Sequence, residues 1–174
     1  MRIKNKYLIG NIFLGVFLLM ANTTFAQETV LELKERILDI QNKGKLGFRN
    51  FTLCKNIITY GQYVSYPNNQ VKAGSKIYFY YEPKNLFTNR RGNTYHIWYT
   101  QDIIVRDSNG KELLNSPNLL NFNHQSISPV LDLYAKNSLN LGKLPPGKYE
   151  FEAIIHDKLK ATSAKTTFIF EIIP

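Results

Sequence analysis

Two periodicities divide the chain. Over residues 30–41, apolar side chains recur at helical spacing. Val30, Leu33, Ile37 and Ile40 form the stripe, with Leu31 and Leu38 beside it and Glu32, Lys34, Glu35, Arg36 and Asp39 in the remaining places. The spacing predicts an amphipathic helix. Asn42-Lys43-Gly44 reads as its stop, with Gly44 free to take a left-handed cap. A helix this short is marginal alone. Its stripe is therefore expected to lie on the rest of the domain; the sharper alternative is a helix that docks a partner.

After Gly47 the period falls to two. Residues 51–60 are rich in β-branched and aromatic side chains, and 63–66 form a short edge segment before Pro67. Over 77–82, Ile77, Phe79 and Tyr81 face one way and Tyr78 and Tyr80 the other, with Pro83 ending the strand. A long strand or bulged pair spans 94–106. Its apolar face is Tyr95, Ile97, Tyr99, Ile103 and Val105; its other face carries His96, Trp98, Thr100 and Asp102. Asp107-Ser108-Asn109-Gly110 is a tight turn into a short hairpin strand. Residues 115–128, Asn-rich with prolines near both ends, read as the longest loop. Strand patterns return over 130–141 and 165–173.

Between them lies the most informative stretch. Pro145 and Pro146 force a turn, and Gly147 supplies the freedom to enter a strand. From there Tyr149, Phe151, Ala153 and Ile155 alternate with Glu150, Glu152, Ile154 and His156. About seven strands, turn signals every dozen residues or so and a single helix predict an all-β fold. The expected form is an immunoglobulin-like antiparallel sandwich of about seven strands with one short N-terminal helix; a small barrel is the alternative.

Gly147-Lys148-Tyr149 resembles the tyrosine corner of immunoglobulin-like domains, which implies a Tyr149 hydroxyl bonded to backbone just upstream. A wider pattern resembles uncharacterised bacterial extracellular domains. It runs through Leu53-Cys54-Lys55, Tyr60-Gly61-Gln62-Tyr63, Gly74, the stretch from Ile77 to Leu86, the Asp107–Gly110 turn and the Pro-Pro-Gly-x-Tyr entry. Leu86 replaces a phenylalanine of that pattern and Pro83 interrupts its acidic element. The resemblance implies a fold and a compartment, but no reaction and no ligand. A fainter similarity, in the Pro-Gly-x-Tyr strand, is to bacterial proteinase inhibitors with an immunoglobulin-like domain.

Composition adds a compartment. Arg2, Lys4 and Lys6 precede an apolar run over 7–20, and Thr24-Phe25-Ala26 offers small residues where a signal peptidase reads. This predicts a signal peptide over 1–26, a helix and linker over 27–47 and one β-sandwich domain over 48–174. The run is too interrupted to span a membrane comfortably, so no stable insertion is expected after cleavage. Of the formal net charge of +9, the leader carries three positive charges and no negative ones. The remaining excess is scattered, and only Arg90 and Arg91 are adjacent, so a nucleic-acid partner is not expected.

Candidate chemistry is sparse. Cys54 is the one cysteine, which excludes an internal disulfide and suits a small buried hydrophobe. His96, His124 and His156 stand at no metal-ligand spacing, and His156 and Asp157 point to opposite strand faces. Glu150 and Glu152 share a face where they would meet solvent or a lysine. No enzyme, metal or cofactor is expected. The one surplus is aromatic: Tyr78, Tyr80, His96 and Trp98 fall opposite the predicted core, and on neighbouring strands they would form one patch. The helix competes as its cover. The expectation is an exported bacterial binding module that meets a protein or a glycan outside the cytoplasm through this face. The alternatives are a proteinase-inhibitor-like protein and a purely structural envelope protein.

Overall fold

Thr29 opens the first element. Its hydroxyl accepts from the Glu32 N–H while the Glu32 carboxylate accepts from the Thr29 N–H at 2.6 Å, a reciprocal capping box. The helix α1 that follows runs Val30–Lys43. It ends differently from the expectation. Gly44 is extended (φ −73°, ψ 162°), not left-handed. A Cβ at Gly44 would come within 2.3–2.9 Å of the Asn85 side-chain amide, so a larger residue would have to displace that amide and its bond to the Lys45 carbonyl.

The computed structural model describes residues 29–142 and 144–174. The expected leader, 1–26, lies outside the described residues. Ten strands follow α1: β1 Gly47–Thr59, β2 Gln62–Ser65, β3 Gln70–Lys72, β4 Lys76–Lys84, β5 Thr88–Arg91, β6 Thr94–Asp107, β7 Glu112–Ser126, β8 Ala135–Asn140, β9 Gly147–Asp157 and β10 Thr162–Ile173. Among the described residues the fold is all-β with one helix, built on two sheets. One has the order β2-β1-β4-β8; the other runs β3-β10-β9-β6-β5, with β7 on the opposite edge of β6. Every pair is antiparallel except β3 with β10.

Strand alternation sorts the side chains as expected. Ile77, Phe79 and Tyr81 from the smaller sheet meet Ile97, Tyr99, Ile103, Val105, Phe151 and Ile155 from the larger in one core. The Phe79 and Phe151 rings stack at 3.8 Å between centroids. Tyr81, Gln101 and Asn137 hydrogen-bond to one another inside this core, which pairs these three polar side chains, whereas the buried Thr88 and Thr100 hydroxyls have no hydrogen-bond partner among the described residues. The corner forms: the Tyr149 hydroxyl donates to the Pro145 carbonyl at 2.7 Å, and the residue is 5% exposed.

The strand count exceeds the expected seven because short segments pair as well. β3 adds to β10, and β5 continues the edge of β6 where β9 leaves it. Asp157, buried at that handover, accepts from the N–H groups of Phe87, Leu159 and Lys160. Pro83 does not end its strand. It is buried in β4 opposite Phe48, beyond the point where β8 stops pairing, so one neighbour strand is present rather than two. The stretch read as the longest loop is mostly strand β7. Leu120 and Phe122 turn inward against Gln101 and Tyr99, while Asn121 and Asn123 face out. One of the two irregularities in its pairing is a bulge at Pro117 and Asn118, where Asn118 (φ 52°) donates its N–H to Asp102.

Candidate functional site

The four expected site residues do not form one patch. Tyr78 and Tyr80 lie on β4 in the smaller sheet, and His96 and Trp98 on β6 in the larger. Each pair faces away from the common core, so the pairs stand on opposite outer faces.

Tyr80 is fully buried. It belongs to a small second core with Cys54 and Ile57, against which Tyr63, Tyr78 and Tyr134 pack. Its hydroxyl accepts from the Gly61 N–H and donates to Glu82, both at 2.8 Å. Glu82 is itself buried and also takes Asn50 at 2.9 Å and Arg49 at 3.3 Å. Burial, reinforced by the Glu82 carboxylate, pushes the Tyr80 hydroxyl well above the usual tyrosine range. This arrangement holds the β1–β2 turn down and leaves Tyr80 no surface to offer. Tyr78 is half-buried between two ammonium groups, Lys136 at 4.9 Å and Lys76 at 5.6 Å from the ring centre.

The other pair sits on an open sheet face. His96 and Trp98 are half-buried and directly opposite Gln125 and Asn123 of β7. The Trp98 indole N–H donates to the Asn121 amide oxygen at 3.0 Å, and the His96 Nε2 meets the Asn123 amide oxygen at 2.8 Å. The two amides fix the ring orientations, and both asparagines are exposed. Asn121 and Asn123 were not singled out in the sequence, although Leu120 and Phe122 alternate with them at strand period.

Further along the same face, Thr100 is the cross-strand neighbour of His156, and His156 bonds Asp102 at 2.8 Å. Burial works to raise the Asp102 carboxyl, but the Asn118 N–H, the His156 contact and Lys158 outweigh it and hold it below the usual carboxylate range. Asp157 points inward, so the neighbours His156 and Asp157 do part to opposite faces. Beyond them Arg106 bridges Glu112, Glu150 and Glu152, a cross-strand charge ladder. Among the described residues no group of three or more histidine, cysteine, aspartate or glutamate side chains could hold a metal ion.

The helix covers neither face. It lies across the end of the two sheets near β5, held by Gln41 donating to the Leu86 carbonyl at 2.7 Å and by a two-way pair between Asn42 and the Thr88 backbone, both bonds at 2.9 Å. Tyr95 and Arg90 both bind Glu35, and Lys160 donates to the Asn42 carbonyl. Of the helix's apolar residues only Leu38 is buried. The expectation that the apolar stripe lies on the domain is therefore overturned: polar side chains make the attachment and the stripe faces away. A separate cleft of about 510 Å³ opens between the start of β7 and the end of β8, lined by Leu113, Leu114, Leu139 and Leu144.

No protein-family model matches the chain, and no curated protein matches it in sequence. Among solved structures it is similar to an alkylpurine DNA glycosylase of Pseudomonas fluorescens bound to DNA containing an abasic site analog, at 9% identity and a TM-score of 0.44 over 80% of this chain and 33% of that one. It is similar to a family 123 glycoside hydrolase from Clostridium perfringens at 10% identity and a TM-score of 0.46, over 74% of this chain and 27% of that one. A conjugative transposon lipoprotein from Bacteroides eggerthii matches at 18% identity and a TM-score of 0.27, over 69% of this chain and 95% of its own. The chain thus spans about a third or less of the glycosylase and the hydrolase.

Proposed function

We propose that this is an exported bacterial binding module, not an enzyme, and that its recognition surface is the outer face of the larger sheet around His96 and Trp98. The observation that carries the reading is the Trp98 indole, half-exposed on the outer face of the larger sheet and oriented by Asn121. An aromatic ring of this kind offers large contact area at little loss of freedom, and the surrounding amides supply hydrogen bonds. The partner is a protein or a glycan met outside the cytoplasm. Tyr78 and Tyr80 take no part, because they stand on the other sheet and Tyr80 is buried.

The non-enzymatic reading is supported by the setting of the His156–Asp102 pair. It lies on an open sheet surface, with the Asp102 carboxylate already committed to the Asn118 N–H. General acid–base work needs a group aimed at a bound reactant in a water-excluding site. The finer architecture, an immunoglobulin-like sandwich, is part of the same proposal. Two sheets share one core, and the Tyr149–Pro145 bond has the form of the tyrosine corner. The strand count, with its extra short strands, is the departure from that plan.

Affinity capture from envelope fractions tests the proposal. Wild-type protein is expected to retain a partner that Trp98→Ala loses and that Tyr78→Ala keeps. Equal capture by all three proteins overturns the assignment of the surface.

A further inference from the structure

Empty space runs along the free edge of β8. Among the described residues β8 pairs with β4 alone, and β7, at the edge of the larger sheet, pairs with β6 alone. Two clefts separate β8 from β7. The cleft of about 510 Å³ takes Leu139 and Asn140 from β8 and Leu113 and Leu114 from β7. A second, of about 310 Å³, takes residues 135–138 from β8 and Leu119 and Leu120 from β7. Together they touch every residue of β8, a length of roughly 20 Å. One wall of this trough is the edge of a strand, and the other carries leucines.

The register shows what the edge offers. Along an antiparallel strand, residues alternate between bonding one neighbour and turning their N–H and C=O away from it. The Leu141 N–H donates to the Ser75 carbonyl at 3.0 Å, one step beyond the Lys76–Asn140 pair. Counting back through the unbroken register, Leu139, Asn137 and Ala135 bond β4, while Asn140, Ser138 and Lys136 turn their backbone groups to the open side. A lysine on an edge strand often discourages pairing, but the Lys136 ammonium is folded away from this edge. It donates to the Ile57 carbonyl at 2.9 Å and lies over the Tyr78 ring.

We infer that the trough receives an extended segment of a partner protein, which adds to β8 as the next strand of the smaller sheet and sets apolar side chains at alternate positions against the leucines of β7. An extended main chain matches both walls. Its N–H and C=O groups meet the edge at every second residue, and its side chains enter the clefts with the same period of two. A small apolar molecule would fill the clefts but leave the edge backbone unmatched. The β8 of a second copy would reach the edge, but its inward side chains are committed to its own domain. Ala135 packs in that core and Asn137 bonds Gln101, so the clefts would stay empty. This edge is separate from the Trp98 surface, which lies on the outer face of the larger sheet.

The test uses the intact chain and labelled synthetic peptides of about eight residues that alternate valine with threonine. Valine is to face the clefts. The peptide residues opposite Lys136, Ser138 and Asn140 then share their outer face, so the threonine N–H groups point to β8 and the valine N–H groups point away. By fluorescence anisotropy the plain peptide is expected to bind saturably. The peptide N-methylated at its threonines is expected to bind about tenfold or more weakly, and the one N-methylated at its valines about as the plain peptide does. Hydrogen exchange at the Lys136, Ser138 and Asn140 amides is expected to slow on binding. Leu114→Asp, at a position 39% exposed, is expected to keep the parent's thermal midpoint and lose about tenfold in affinity. Trp98→Ala is expected to bind the peptide as the parent does. Binding by none of the peptides, equal weakening by the two methylation patterns, or unslowed exchange at the three amides overturns the inference. So does a self-association in sedimentation that Ser138→Pro abolishes while no peptide binds, which assigns the edge to a second copy.

Discussion

Tyr149→Phe removes one oxygen atom and isolates the corner. The ring it leaves behind has the same shape and remains stacked on Phe170, whose centroid lies 5.7 Å away, so no cavity opens. What is lost is the 2.7 Å bond from the hydroxyl to the Pro145 carbonyl. A hydrogen bond of this kind contributes about 0.5–1.5 kcal/mol net, and more is lost when the deserted acceptor stays dry. Pro145 is exposed, so water can take over its carbonyl and the cost stays in that range. About 1 kcal/mol corresponds to roughly 2–4 °C in the thermal midpoint of a domain this size. The assay is urea unfolding followed by circular dichroism, with the midpoint expected to fall at an unchanged slope. Tyr149→Ala is the comparator; it also deletes a buried ring and is expected to cost about 3–5 kcal/mol. A phenylalanine variant as stable as the parent would refute the corner. One as damaged as the alanine variant would show that the ring is not packed as described.

Other outcomes follow from the same geometry. Burial pushes the Cys54 thiol up to about 11 and the residue is 0% exposed, so at pH 8 a thiol-reactive disulfide reagent is expected to label it only as the protein unfolds; a fast native reaction would contradict this. Asp102 is held below its ordinary value of 3.8, so its contribution to stability is present above that pH and fades as the pH falls through the lower native value. The stability gap between the parent and Asp102→Asn is therefore expected to be constant near neutrality and to close in acid, read by urea midpoints across pH; a gap that widens in acid would contradict the sign. Export is tested by intact-mass analysis of secreted or periplasmic protein, where the expected mature N-terminus is Gln27 and a species retaining residues 1–26 would overturn the leader.

Much of this was legible before any fold was known. Alternation placed Ile77, Phe79 and Tyr81 in the core and set His96, Trp98 and Asp102 outside it, because side-chain direction in a strand is a local property. The corner at Tyr149 was legible for the same reason: its partner lies four residues upstream. Pairing between strands is not local. Alternation carries no record of which sheet a strand joins, and so Tyr78 and Tyr80 could not be separated from His96 and Trp98. β7 was misread because its asparagines and Pro117 resemble loop chemistry, whereas an exposed edge strand tolerates both. The helix was located correctly but turned the wrong way. Its attachment depends on the Leu86 carbonyl and the Thr88 backbone, more than forty residues away in sequence, and polar bonds of that kind leave no hydrophobic signature.

Trp98 is the only tryptophan in the chain, so its emission reports directly on the proposed recognition surface. The most direct measurement is a fluorescence titration of the intact protein with soluble protein and polysaccharide fractions of the producing cell's envelope. Binding at the sheet face is expected to shift or quench the emission saturably with one of these fractions, and His96→Ala is expected to weaken that response. Emission unchanged across every fraction, while the same fractions still bind the protein by another readout, would contradict the claim that the Trp98 face is where this module meets its partner.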